Sequence, residues 1–181
     1  DINDGYEMYH NNRSRRAKDL IDQLNKISYA DIQRIKFDRQ LPNPILFPYG
    51  FAADSLLWVD EQTHPLLAPL IQAYKNWDHR ADVDSKGALI YTLLYSYVPM
   101  VMNGQSQDKL TLNEAVQVYQ KIYDYLMTYF KRIDLSLGEV QKLVRGKQSW
   151  PQAGAPDVLA AVGSAEWKNG YRRMTGGDAY I

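Results

Sequence analysis

Residues 111–132 read TLNEAVQVYQKIYDYLMTYFKR, from Thr111 to Arg132, and the fold turns on this stretch. Thr111 with Glu114 three residues later forms a capping box. Each side chain is placed to take up a backbone N–H that the first helical turn leaves without an acceptor. Behind it come Val116, Val118, Tyr119, Ile122, Tyr123, Leu126, Tyr129 and Phe130, which predicts a helix with a broad apolar face reaching about Arg132. Tyr119, Tyr123, Tyr125 and Tyr129 spread around that helix, so some are exposed or meet a partner.

Working upstream, Ser85 opens a second long helix through Met102, stopped by Asn103-Gly104. Its stretch from Ala88 to Met102 is the most apolar in the chain. Thr92, Ser96 and Pro99 interrupt it, so it reads as a core helix rather than a membrane span. Thr63-His64-Pro65 predicts a helix start with proline in the first turn, carrying Leu66, Leu67, Leu70, Ile71 and Tyr74 and ending near Trp77. Between Asp38 and Gly50, three prolines and a glycine forbid a helix and require an extended loop across the body. Ser28 with Asp31 opens a short helix through Ile32 and Ile35. Ala17, Leu20, Ile21 and Leu24 define another from about Arg13 to Leu24, with Asn12 as its N-cap. Residues 1–11 read as a tail or loop.

Downstream the grammar changes. Ser136-Leu137-Gly138-Glu139 is a second capping box, opening a short helix that Gly146 closes. Beyond Trp150 come a Pro/Gly loop and the short apolar run Val158–Val162. Then follows Asn169-Gly170, the strongest two-residue hairpin signal, with Met174–Ile181 as the returning strand. The reading is a mainly α chain. A helical subdomain spans 12–149, and a loop and β-hairpin occupy 150–181. A lone hairpin is marginal in water, so these strands are expected to pair with polypeptide beyond this sequence.

Composition narrows the function classes. Twenty-one basic residues balance twenty-one acidic ones, so no global field favours nucleic acid or an anionic membrane. The run Arg13, Arg15, Arg16, Lys18 is followed at once by Asp19 and Asp22 and reads as a solvated helix face. With no cysteine, disulfides, thiolate metal sites and cysteine nucleophiles are excluded. The chain opens Asp1-Ile2-Asn3-Asp4-Gly5 without methionine or signal peptide, which is expected of a cut piece.

Chemistry-bearing motifs are sparse. His10, His64 and His79 show no metal-ligand spacing, and neither a phosphate loop nor a G-x-S-x-G elbow occurs. Asp78, Asp82 and Asp84 put three carboxylates within seven residues, a possible oxygen-ligand cation site or the acids of a small enzyme. They lack an EF-hand's glycine turn and final glutamate. A helix end followed by a helix start, with Asp84 as cap and Arg80 neutralising the acids, explains them better.

Several phrases, taken in order, carry more. They are Arg13-Ser14-Arg15-Arg16-Ala17, Lys36-Phe37-Asp38, Trp77-Asp78 leading to Asp82–Ala88, Leu137-Gly138-Glu139-Val140, Gly154-Ala155-Pro156-Asp157-Val158-Leu159 and Gly177-Asp178-Ala179-Tyr180-Ile181. The ordered set resembles the β-chain of the penicillin acylase family, which includes acyl-homoserine-lactone acylases. The resemblance departs at Ala179, where serine is common, and at Leu137, where an aromatic is frequent.

The resemblance implies an internal piece of an N-terminal-nucleophile hydrolase with a four-layer αββα core. Such a precursor cleaves itself, and the new N-terminal serine uses its own α-amino group as base. It hydrolyses acyl-amide bonds with the help of an oxyanion-holding asparagine. By the same resemblance Arg13 opens the helix that carries an arginine close to the catalytic centre. Serine and oxyanion asparagine are expected upstream, so this piece alone is expected to be inactive. The implied partners are the remainder of the precursor and a small acyl-amide substrate, with neither nucleic acid nor membrane. The implied location is the periplasm or the exterior. No cofactor is implied, although a structural calcium of the parent would have a ligand near Asp1 or Asp4. The alternative is a free-standing helical interaction module that binds through its tyrosine-rich faces.

Overall fold

A computed structural model of the chain describes residues 10–48, 54–102, 110–162 and 165–175. The tail before His10, the Asn103-Gly104 stop and the Gly177–Ile181 phrase lie outside them.

Among the described residues, helices α1 (Asn12–Ile21), α2 (Tyr29–Lys36), α3 (Ala68–Lys75), α4 (Lys86–Val101), α5 (Leu112–Phe130) and α6 (Leu137–Val140) precede or surround one small sheet. Helix α5 starts as expected. The Thr111 hydroxyl accepts the Glu114 N–H at 3.2 Å, and the Glu114 carboxylate accepts the Thr111 N–H at 2.7 Å. It stops where Lys131 turns left-handed, at φ 60°. Thr111→Ala removes one half of this box and should cost about 1 kcal/mol, read as a lower urea midpoint at unchanged slope.

Helix α4 is the hub, packed between α3 and α5. From Gly87 to Leu94 every residue of it is buried, which is why its sequence is apolar all round rather than on one stripe. Its threonine and serine hydroxyls are satisfied inside the helix: Thr92 donates to the Ala88 carbonyl at 2.8 Å and Ser96 to the Thr92 carbonyl at 3.2 Å. No described helix is long and apolar enough to cross a membrane.

Two helix starts differ from the sequence reading. Helix α3 begins at Ala68, and the proline in its first turn is Pro69, not Pro65. Residues 61–67 form turns instead, with Leu67 N–H bonded to the His64 carbonyl at 2.9 Å. Helix α1 is capped by Asn11, whose side chain accepts the Ser14 N–H at 2.8 Å, so Asn12 is already inside the helix. Either asparagine has cap chemistry, and a tertiary contact made by Asn12 decides between them.

The proline-rich loop is extended, as its composition requires. Leu41, Ile45 and Phe47 are buried on the core. An isolated antiparallel bridge joins Gln40 to Arg80, with Leu41 N–H donating to the His79 carbonyl and Ala81 N–H to that of Arg39.

The largest correction concerns the segment after Ser136. Its capping box opens a single turn, α6, and the chain then becomes strand β1 (Gln141–Arg145). Gly146, at φ 58°, turns it into β2 (Gln148–Pro151). A glycine in that conformation serves a helix end and a hairpin equally well, and here it serves the hairpin. The Asn169-Gly170 turn forms as expected, with φ 50° and 79°, between β3 (Glu166–Lys168) and β4 (Tyr171–Met174). Strand β4 ends at Met174, where the returning strand was expected to begin. The order is β2-β1-β4-β3, with β1 and β4 parallel and both outer pairs antiparallel. The β-segments are therefore not orphans, because the misread helix supplies their partner. Val158–Val162 forms no strand and, apart from half-buried Leu159, lies buried in an irregular segment held by Ala160 N–H on the Asp38 carbonyl.

One apolar flank is left open. No residue of α2 is buried, and Ile27, Tyr29, Ile32 and Phe37 are each at least half exposed.

Candidate functional site

The start of α1, the exposed part of α4, the loop after β2 and the β3–β4 hairpin converge on a cleft of about 400 Å³. Arg13, Tyr95, Ser96, Asp157, Trp167 and Arg172 line it. The cleft is positioned from beneath by Asn12, which is fully buried. Its side-chain amide donates to the Leu46 carbonyl at 2.6 Å and to Asp157 at 2.9 Å, while its oxygen accepts the Leu46 N–H at 2.7 Å. One asparagine thus joins α1, the proline-rich loop and the Asp157 loop.

Asp157 sits in the left-handed region at φ 58°, which acidic and amide residues tolerate better than most. Its carboxylate accepts the Asn12 backbone N–H at 3.0 Å and is also hydrogen-bonded by the Arg13 backbone. Burial pushes its carboxyl above the ordinary pKa, and these donors and the Arg13 charge oppose that rise. Tyr95, half-buried and near Asp157, is raised to about 12 by that burial and the carboxylate, so it is a neutral phenol.

Arg13 itself is exposed at the mouth. Among the described residues no salt bridge engages it, whereas Arg16 forks onto Asp38 at 3.1 and 2.9 Å. At the floor, Arg172 is buried and bonded to the Gln141 side chain and the Val162 carbonyl. Burial pulls its pKa down to about 10. Gln141 in turn donates to the carbonyls of Gln152 and Gly154, so β1, β4 and the loop are stitched under the cleft.

This arrangement offers charge and shape but no nucleophile with its base. Ser14 Oγ lies 3.4 Å from His10 Nδ1, yet its hydroxyl donates to the Asn11 carbonyl at 3.1 Å. Ser96 spends its proton on Thr92.

The aspartate cluster is dispersed into structural duties. Asp82 pairs with Arg39 at 2.9 Å and Arg80 at 3.1 Å, and Asp78 accepts the Arg80 N–H at 2.9 Å. Ser85, rather than Asp84, caps α4 by accepting the Ala88 N–H at 3.1 Å. His79 packs on Trp77 with ring centroids 5.4 Å apart, and burial lowers its pKa. Among the described residues no group of three or more His, Asp or Glu is placed to hold a metal ion. Asp1 and Asp4 lie outside the described residues.

Sequence reasoning missed Asn12 as a clamp, and with it Tyr95, Asp157 and Arg172. Asp157 alone had a signal, since it stands inside the phrase 154–159 that carries the family resemblance. No curated protein matches the chain as a relative. The penicillin amidase family model, in contrast, matches residues 2–174, nearly the whole sequence. By that match, the chain belongs to the penicillin amidase family.

Proposed function

We propose that the chain serves as a helical scaffold within an acyl-amide hydrolase, bordering its reaction centre and positioning Arg13 there. The family supports a hydrolase parent. The observation that carries the finer reading is the cleft beside α1. Among the described residues no salt bridge engages the exposed guanidinium of Arg13, which stands at the mouth beside the Asn12–Asp157 clamp, and these residues supply no activated nucleophile for it. In this reading the N-terminal serine, its α-amino base, the oxyanion donors and the αββα core belong to the rest of a self-cleaving precursor, exported to the periplasm or beyond. Penicillin- or acyl-homoserine-lactone-like amides are its substrates. The open apolar flank of α2 supports contact with further polypeptide.

The test compares the chain of residues 1–181 with its complete precursor on phenylacetyl and long-chain acyl amides. Only the precursor should process itself and release acid. Arg13→Ala in the precursor should lower kcat/KM by about 100-fold, the scale of one lost charge-assisted contact in a transition state. Turnover by the isolated chain, or full activity of the Arg13 variant, contradicts this reading.

The second reading is a free-standing interaction module that binds through the tyrosine-rich faces of α5, of which Tyr129 is exposed while Tyr119 is buried. A serine-initiated coding sequence upstream of Asp1 decides against it.

A further inference from the structure

The outer face of the small sheet gathers positive charge that its own folding does not require. In the parallel pair β1–β4 the register sets Lys142 directly beside Arg173. Side chains alternate across a sheet, so Val144, Ser149 and Tyr171 share that face with them. Gln141 and Arg172 belong to the opposite face, where Arg172 lines the Arg13 cleft. Between the outer-face residues and Lys147 of the β1–β2 turn lies a groove of about 360 Å³.

The groove is lined by three cations and no carboxylate. Like charges on neighbouring strand positions repel, so placing Lys142 beside Arg173 costs stability. Nearby acids offset this only in part. Glu166 lies 3.7 Å from Arg173 and is half exposed. Glu139 is close to Lys142, but its carboxylate is taken by the Ser136 N–H at 2.7 Å and by Arg132 at 3.2 Å. Lys142 is half-buried, and its ammonium donates to the Gly138 carbonyl at 2.6 Å. Burial pulls its pKa down, with Glu139 opposing. Lys147 is exposed. Among the described residues no salt bridge engages Lys142 or Lys147. A like-charge pair left uncompensated by the fold is where an anion from outside gains most.

We propose that this face binds a small doubly charged oxyanion of phosphate type, free or as the head of a monoester, between Lys142 and Arg173, with Lys147 reaching it from the turn. The guanidinium fork matches two oxygens of such an ion, and each ammonium adds a point charge. The hydroxyls of Ser149 and Tyr171 supply neutral donors at the rim, where both residues are exposed. Phe130 meets the Tyr171 ring edge-on, with centroids 5.2 Å apart, and so orients it. The inference does not rest on the proposed function, because it uses no residue of the Arg13 cleft and needs no turnover.

The experiment follows the backbone N–H signals of Lys142, Val144 and Arg173 by nitrogen–proton NMR of the labelled chain. The probes are phosphate, glycerol 3-phosphate, sulfate and chloride, titrated at constant ionic strength. The signals should shift together and saturate with the doubly charged ions, and stay in place with chloride. Tighter binding of phosphate than of glycerol 3-phosphate assigns the free ion, and the reverse order assigns the monoester. Arg173→Gln should weaken phosphate about tenfold and Lys147→Gln about threefold. Lys168→Gln removes an equal charge from the neighbouring edge strand β3, outside the groove, and should leave the affinity unchanged. Lys147 is exposed in a turn, so its variant keeps the fold even where the Arg173 variant does not. Equal shifts with chloride, no saturation with any doubly charged ion, or Lys168→Gln weakening phosphate as much as Lys147→Gln overturns the proposal.

Discussion

Asn12→Ala should lower the free energy of unfolding by about 3 kcal/mol, because it leaves several partly buried polar groups unpaired at once. The Leu46 N–H and carbonyl both lose their asparagine partner, and Asp157 loses one of its donors. Water does not readily replace the side chain, since Asn12 is fully buried while Leu46 and Asp157 are only half-buried around it. The neighbouring residue provides the control. Asn11→Ala removes only a helix cap and should cost about 1 kcal/mol. Chemical denaturation of the two variants side by side separates a clamp from a cap. Equal losses would reduce Asn12 to an ordinary helix residue.

Gly87→Ala should be the second large effect, about 3 kcal/mol, with thermal unfolding about 10 °C lower for a chain of this size. A Cβ there falls 2.3 Å from both Cβ and Cγ of Trp77 and 2.7 Å from the Ala73 carbonyl. Neither neighbour can yield cheaply. Trp77 donates its indole N–H to the Arg80 carbonyl at 2.8 Å and rests on Tyr91 at 5.3 Å between centroids, so pushing it away opens the α3–α4 contact. In an open helix the same change would be neutral or favourable. Calorimetry of this single variant distinguishes the two situations, and an unchanged transition would mean that α3 is not held against α4 as described.

Much of the helical body was legible because its signals are local. Thr111 and Glu114, or Ser28 and Asp31, find each other within one turn wherever the rest of the chain goes. The Asn169-Gly170 turn was equally readable, since its backbone angles are a property of those two residues. The failures share a cause in long-range pairing. Gln141–Arg145 becomes a strand because β4 lies beside it, and nothing within that pentapeptide announces a partner thirty residues away. Asn12 beats its neighbour to the interior because Leu46 and Asp157 wait there, again far off in sequence. The site followed the same rule. Arg13 was reachable through the family phrase in which it stands, whereas Arg172 acquires its position only when two strands meet.

That meeting of strands has a kinetic consequence. Each antiparallel hairpin closes through a two-residue turn and is cheap in chain entropy, but the parallel seam between β1 and β4 must gather segments separated by both hairpins and the buried loop. The seam therefore zips late during folding. Arg172 comes under the Arg13 cleft only with this seam, so the floor of that cleft is expected to form after the two hairpins.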